Sequence, residues 1–228
     1  MAGKGTRLRP FTLTCPKPLI NVLDKPIVEH LIDQITSKVK SNIDEIVYIL
    51  GDESYFNAEV VNSLNIISEK YNAKTKIYRQ LEQLGTGHAI MCAEESLSGP
   101  SIIAYADTMI QGNIEIDTQV DGIMWVKKVD NPSAYGVVNL DNENKITELI
   151  EKPSEFISDL AVVGIYYFKE AANLRGYLRK HLSEKLSPGK EYLLNYGIEK
   201  MIKNGDSFVP KEIDIWMDCG TPELLLNS

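Results

Sequence analysis

Between residues 26 and 106 the spacing of apolar residues switches repeatedly between a helical and a strand-like pattern, and that alternation leaves few architectures open. Pro26 suits the first turn of a helix, and Ile27, Val28, Leu31, Ile32, Ile35 and Val39 follow at helical spacing. Ile43 to Leu50 (IDEIVYIL) is rich in β-branched residues and is halted by Gly51-Asp52, which predicts a buried strand. Phe56, Val60, Leu64 and Ile67 mark a second amphipathic helix, and KTKIYR (74–79) another strand. Gly85-Thr86-Gly87 leads into a helix carrying Ala89, Ile90 and Ala93, and SIIAYA (101–106) is a short apolar strand ending at Asp107. Such βαβα order implies an α/β fold with a mostly parallel sheet flanked by helices and a ligand crevice at the strand C-terminal ends.

The second half has a different texture. GIMWVKKV, YGVVNLD, KITELIEKP and AVVGIYYF read as consecutive strands separated by turn residues such as Asn131-Pro132 and Asp141-Asn142. They predict an antiparallel or mixed extension of the sheet, followed by helices at about 170–184 and 190–203. With 228 residues and neither a repeat nor a long linker, the expectation is one domain.

Charge and cysteine content narrow the function classes. Cys15, Cys92 and Cys219 are odd in number, widely spaced and without a CxxC pair, so they read as reduced thiols of a cytoplasmic protein. No apolar run approaches the roughly 20 residues needed to cross a bilayer, so no membrane partner is expected. A net charge of −8 argues against nucleic acid as a partner. Residues 1–25 nevertheless hold Lys4, Arg7, Arg9, Lys17 and Lys25 against Asp24 alone, so they carry +4 and the remainder −12. A cationic site on an acidic body suits a small anion, whereas a solvated basic arm would carry no function.

The same stretch holds Gly3-Lys4-Gly5-Thr6-Arg7, which is neither GxxxxGK[ST] nor GxGxxG. Two glycines flanking one residue allow backbone amides to approach a phosphate, and they also suit a plain tight turn. Pro16-Lys17-Pro18 holds a lysine between two residues of fixed φ, a pre-positioned cation where negative charge builds up, or else an exposed loop lysine. His30, His88 and His181 are isolated, with no HExxH or Cys/His spacing, so packing or capping explains His30 and His88 better than ligation.

Taken whole, MAGKGTRLRPFTLTCPKPLINVLDKPIVEH resembles the signature of the sugar-1-phosphate nucleotidylyltransferases, departing mainly at Asn21, where proline is usual. QLEQLGTGHA (80–89), Tyr105-Ala106-Asp107, Tyr135-Gly136-Val137-Val138, Glu151-Lys152-Pro153, Val163-Gly164-Ile165-Tyr166 and WMDCGTP (216–222) are similar to further motifs of that family, in family order over nearly the whole chain. Ala106 stands where glycine is usual.

The resemblance implies a Rossmann-like GT-A fold that joins a nucleoside triphosphate to a sugar 1-phosphate, releasing pyrophosphate, with UTP or dTTP favoured. Residues 1 to about 110 would form the nucleotide half and 111–228 the sugar-phosphate half. By the family pattern Asp107 and Asp218 hold Mg2+, hard oxygen ligands for a hard cation. Arg7 and the backbone of Ala2, Gly3, Gly5 and Thr6 grip the β and γ phosphates, Lys17 serves the α-phosphate and developing charge, and Lys152 the sugar phosphate. Glu151 binds sugar hydroxyls beside Gly136, while Gln80, Gly85 and Thr86 read the base. Asp107 and Asp218 would alternatively be caps or turn residues, and Glu151-Lys152 a surface ion pair. Two other functions stay open: a choline-phosphate-type nucleotidylyltransferase and a catalytically silent nucleotide-sugar-binding homologue. Association into a homo-oligomer is also left open. A buried strand is expected before residue 1, and many relatives carry a further extension beyond a point corresponding to residue 228.

Overall fold

In the computed structural model, residues 1–3, 5–39, 42–112 and 114–219 are described. A two-residue hairpin pairs Asn21–Val22 (β1) with Lys25–Pro26 (β2), turning at Leu23, whose φ is +56°. Pro26 then starts Ile27–Thr36 (α1), which buries Ile27, Val28, Leu31, Ile32 and Ile35. Val39, expected on this helix, lies past its end; Thr36 turns its hydroxyl back onto the Ile32 carbonyl at 2.8 Å, a bond that competes with continued helix.

Glu45–Leu50 (β3) follows, and then Ala58–Glu69 (α2), whose first turn is capped by the Asn57 side chain accepting from the Glu59 and Val60 amides, both at 3.1 Å. Phe56 therefore precedes the helix it was expected to join, and is buried there. Lys74–Arg79 (β4) matches its expected segment, whereas Thr86–Met91 (α3) ends before Ala93 and Ser101–Ala104 (β5) stops two residues short of the expected strand. The chain turns at Tyr105–Asp107 into Thr108–Gln111 (β6), a strand the apolar pattern did not announce.

Next come Gly122–Lys128 (β7), Gly136–Leu140 (β8), Ile146–Glu151 (β9), Leu160–Phe168 (β10), Ala171–Leu182 (α4) and Leu194–Lys203 (α5). Phe208–Glu212 (β11) and Ile215–Asp218 (β12) close the described chain.

The contacts divide into two compact units. The first comprises Met1–Gln83, Tyr105–Glu115 and the described residues from Trp216 on; the second comprises Leu84–Ala104 and Ile116–Ile215. In the first, β3 and β4 pair in parallel, and Tyr48, Leu50 and Phe56 pack with Val28 and Ile32 of α1 and Val60, Leu64 and Ile67 of α2. A smaller cluster joins Ile27 to Met109 of β6 and to Cys219, the residue after β12; β12 pairs with β6.

The second unit is built on a six-stranded mixed sheet in the order β11, β7, β10, β8, β9, with β5 also on β10. β7 and β11 run parallel, and the other pairings are antiparallel, as the strand run of the second half predicted. β10 is long enough to pair with β8 through Ala161 and with β5 through Ile165–Phe168, its register against β7 shifting between Val162 and Tyr166. Ile123, Met124, Trp125 and Phe168 lie fully buried in this sheet, and α4 and α5 contribute Leu174, Leu178, Ile198 and Met201 to the same unit's core. The result is a mixed α/β fold, as the sequence implied.

Candidate active site

In the first unit the glycine-rich stretch forms three single turns of 3-10 helix, Thr6–Leu8, Phe11–Leu13 and Lys17–Leu19. Gly5 is left-handed, φ +61°, and its carbonyl accepts from the Leu8 amide at 2.9 Å and the Thr12 hydroxyl at 2.7 Å. The Tyr55 hydroxyl reaches the same loop, at 2.6 Å from the Thr12 carbonyl and 3.0 Å from that of Cys15. Burial pushes the Cys15 thiol pKa up, favouring the uncharged form. Thr12 and Tyr55, neither singled out from sequence, thus hold the loop's shape.

Pro16 and Pro18 are buried on either side of Lys17, fixing the backbone from which its side chain departs. Lys17 Nζ donates to Asp107 Oδ2 at 2.6 Å, with the lysine side chain 11% and the aspartate 39% exposed. Asp107 sits in the turn before β6, and its carbonyl accepts from the Cys219 amide at 3.0 Å. Asp218 ends β12, which pairs with β6, so strand pairing gathers the two expected metal ligands in one part of the first unit.

Asp107 and Asp218 suit a hard divalent cation. Both offer carboxylate oxygens, and the Lys17 ammonium on Asp107 is itself a cation held at that position. Among the described residues no group of three or more His, Cys, Asp or Glu gathers to hold a metal. Two carboxylates with phosphate oxygens and water completing the shell are how Mg2+ is held in nucleotide sites.

Arg7, Gly3 and Thr6 are exposed, whereas Ala2 is buried. The Ala2 carbonyl accepts from Gln83 Nε2 at 3.2 Å, and a Cβ on Gly51 would stand 2.5 Å from that oxygen. Gln80 is buried, 5% exposed, and its amide bonds the Leu50 carbonyl at the end of β3. Lys4, one of the cations counted in the basic stretch, lies outside the described residues, as do Gly220 to Pro222 of the last motif.

The second unit holds the remaining candidates. Gly136 and Glu151 face one another in the β8–β9 register, and a Cβ on Gly136 would approach Glu151 Oε2 to 3.1 Å. Asn195, in the first turn of α5, donates from Nδ2 to the same Oε2 at 2.8 Å. Lys152 is exposed and left-handed, φ +47°, its amide tied to the Tyr135 carbonyl at 3.0 Å. That conformation is rare for a residue with a side chain, and rare backbone geometry collects at functional positions.

Gly85 and Thr86 also belong here, so the segment read from sequence as one base-contacting motif divides between the units after Gln83. Gly85 has φ 112° and ψ 175°, accessible essentially to glycine alone, and a Cβ there would meet the Tyr192 carbonyl oxygen at 2.6 Å. Tyr192 exchanges backbone bonds with this loop, accepting from Gly87 at 2.7 Å and donating to Leu84 at 2.8 Å. Thr86 Oγ1 accepts from the Leu194 amide at 3.0 Å, satisfying a donor at the start of α5. A structural duty therefore accompanies whatever the loop does with a base.

The histidines have packing partners: His30 Nε2 lies 2.9 Å from the Val22 carbonyl, and His181 stacks on Tyr196 with ring centroids 3.7 Å apart. All three cysteines are free.

The sequence pattern of the nucleotidyl transferase family matches residues 1–228. A bifunctional protein GlmU of Methanococcus maripaludis is 33% identical over 231 residues, covering all of this chain and 52% of that protein. The chain spans about half the length of the GlmU relatives it matches. The UTP–glucose-1-phosphate uridylyltransferase AglF of Haloferax volcanii is 31% identical over 232 residues, 97% of this chain and 90% of the relative. In fold, the chain resembles a nucleoside-diphosphate-sugar pyrophosphorylase from Vibrio cholerae, with a TM-score of 0.82 at 18% identity over 100% of this chain and 96% of that one. A UDP-glucose pyrophosphorylase complexed with UDP-glucose gives 0.78 at 22% identity over 99% and 93%. The glycine-rich loop, the paired lysine and aspartate and the ordered motifs behind them thus agree with the comparisons: the chain belongs to the nucleotidyl transferase family.

Proposed function

We propose that this chain is one catalytic domain that condenses a nucleoside triphosphate with a sugar 1-phosphate, giving a nucleoside-diphosphate sugar and pyrophosphate. A phosphate oxygen of the sugar 1-phosphate attacks the α-phosphorus in line, the bond from that phosphorus to the bridging α–β oxygen breaks, and pyrophosphate leaves with the electron pair. No covalent enzyme intermediate is needed. Both reactants are anions, so the protein's task is to position them and cancel their repulsion.

The Lys17–Asp107 pair is the observation that carries this reading, because it sets side by side in the first unit a lysine and a carboxylate of the kinds this chemistry uses for phosphate and for metal. Lys17, between two buried prolines, is preorganised to meet charge developing at the α-phosphate. Arg7 and the backbone of Ala2, Gly3, Gly5 and Thr6 grip the outer phosphates. Asp107 and Asp218 would hold Mg2+, which when bound neutralises triphosphate oxygens and polarises the α-phosphorus. In the second unit Glu151 accepts from sugar hydroxyls beside Gly136, and Lys152 meets the sugar phosphate. Gln80, Gly85 and Thr86 serve the base. The substrates named for the Haloferax relative support UTP and glucose 1-phosphate as the first pair to try, with dTTP second.

Pyrophosphate release over a panel of nucleoside triphosphates and sugar 1-phosphates, with and without Mg2+, tests the reaction. Turnover that needs the metal is expected. Silence across the panel together with retained binding of a nucleotide sugar would replace the enzyme with a binding protein, and turnover of phosphocholine alone would replace the sugar. In the active pair, Asp107→Asn or Lys17→Ala lowers kcat by about 100-fold or more, the scale of losing one preorganised electrostatic group.

A further inference from the structure

Glu151 does not stand alone in the second unit. Gly136 opposes it across the β8–β9 ladder, and the absent Cβ leaves the carboxylate room it would otherwise share at 3.1 Å. Asn195 Nδ2 donates to Glu151 Oε2 at 2.8 Å and lies 3.8 Å from where that Cβ would be. Asn195 is itself held firmly. The residue before it, Leu194, donates its amide to Thr86 Oγ1, and Tyr192 is bonded through its backbone to Leu84 and Gly87. Beyond it, Tyr196 stacks on His181 and donates to Glu184 Oε1 at 3.2 Å, while the Tyr192 hydroxyl donates to the Glu184 carbonyl at 2.9 Å. A side chain anchored on both sides of its own position loses little further freedom when it binds a ligand.

We propose that Asn195 is a specificity-determining residue of the sugar site: it orients Glu151 and presents its own amide to the neighbouring ring substituent. The inference rests on the reading of Glu151 as a ligand of sugar hydroxyls. A carboxylate oxygen accepts, and with one lone pair of Oε2 engaged by Asn195, Oε1 is the oxygen Glu151 turns to a sugar hydroxyl. The Asn195 amide keeps one N–H and its carbonyl oxygen, so it both donates and accepts. Together they suit two adjacent polar substituents on a pyranose, a hydroxyl that donates to Glu151 beside a group that pairs with the amide. An epimer that inverts the second group forgoes the bond to the amide, so its transition state is held less tightly than that of the preferred sugar.

Steady-state kinetics of the full chain with glucose, galactose, mannose and N-acetylglucosamine 1-phosphates separate the outcomes. Asn195→Ala is expected to raise KM for the preferred sugar 1-phosphate about 10-fold while the nucleotide KM moves less than about 2-fold. It is also expected to narrow the kcat/KM ratio between the preferred sugar and its nearest epimer by about 10-fold, the size of one lost hydrogen bond to a charged group. Asn195→Asp keeps the shape but sets two carboxylates at hydrogen-bond distance, so it should raise the sugar KM at least as much while the nucleotide KM again moves less than about 2-fold. A fall in kcat common to all sugars with the ratio preserved, or a nucleotide KM rising in parallel, overturns the assignment and leaves Asn195 a structural residue. Wild-type protein inert on every sugar overturns the reading of Glu151 and this inference with it.

Discussion

Lys17 and Asp107 neutralise one another at 2.6 Å, yet the aspartate is 39% exposed, so solvent tempers both the attraction and the loss when one partner is removed. Lys17→Met is expected to cost about 1 kcal/mol in denaturant unfolding, well short of a fully buried pair. Combined with Asp107→Asn it should cost less than the two changes added, with a coupling of about 0.5 kcal/mol or more in a double-mutant cycle. Strict additivity would mean the pair has no energetic content. Both residues were legible from the motifs that carry them, but their pairing was not, because it joins positions far apart in the chain through the turn before β6. Gly85 was legible for a different reason from the one that holds it. It was expected to read the base, and its missing side chain faces the Tyr192 backbone. Gly85→Ala should destabilise the protein by about 1–3 kcal/mol from backbone strain alone, before the 2.6 Å contact is counted. A melting temperature equal to wild type would show that the loop can swing away.

At the scale of elements, α4 has a titratable start. Glu170 Oε1 accepts from the Ala172 amide at 3.0 Å, within the first turn, and from the Gly99 amide at 2.7 Å. These two backbone bonds, Ala172 the larger cause, hold the Glu170 carboxyl below its ordinary range. A depressed carboxyl contributes stability that is present above its unfolded pKa and is lost as pH falls through the lower folded value. Glu170→Gln should therefore flatten the acid limb of the stability curve while changing little near neutral pH beyond the weaker cap; an unaltered acid limb would refute the linkage. Tyr55 offers a second element-level test. Tyr55→Phe frees the Thr12 and Cys15 carbonyls and should raise the nucleotide KM about 5-fold, the equivalent of roughly 1 kcal/mol, without moving the sugar KM. Strands β7 to β10 were readable because turn residues punctuate them; Asp141 Oδ1, for example, accepts from the Glu143 and Lys145 amides, both at 2.8 Å, between β8 and β9. β6, β11 and β12 were not read from the sequence, and Pro210 interrupts the pattern of β11. That strand tolerates proline because it occupies the edge of its sheet.

Over the whole molecule, charge is segregated: the first 25 residues carry +4 against a chain total of −8. A nucleoside triphosphate drawn to that end by long-range attraction should bind less well as salt is raised. The nucleotide KM is expected to climb several-fold between about 0.05 and 0.5 M potassium chloride at constant Mg2+, across a range in which the Debye length shrinks from beyond 10 Å to a few ångströms. A flat response would mean that short-range contacts alone hold the triphosphate. The pattern of periods sufficed for an α/β fold, but not for the composition of its two compact units. Each is assembled from separate stretches of chain, with Tyr105–Glu115 returning to the first after Leu84–Ala104 has joined the second. No local pattern announces such an interleaving, since it depends on which strands pair across long loops.

The seat of Gly85 and Gly87 on the Tyr192–Leu193 backbone bears on how this protein could be re-engineered. A library randomised across that loop to change base preference would be sieved by folding long before it was sieved by choice of nucleotide. The loop works like a tenon cut to its mortise. New base preferences would have to be sought at positions whose side chains are not already spent on joining one stretch of the protein to another.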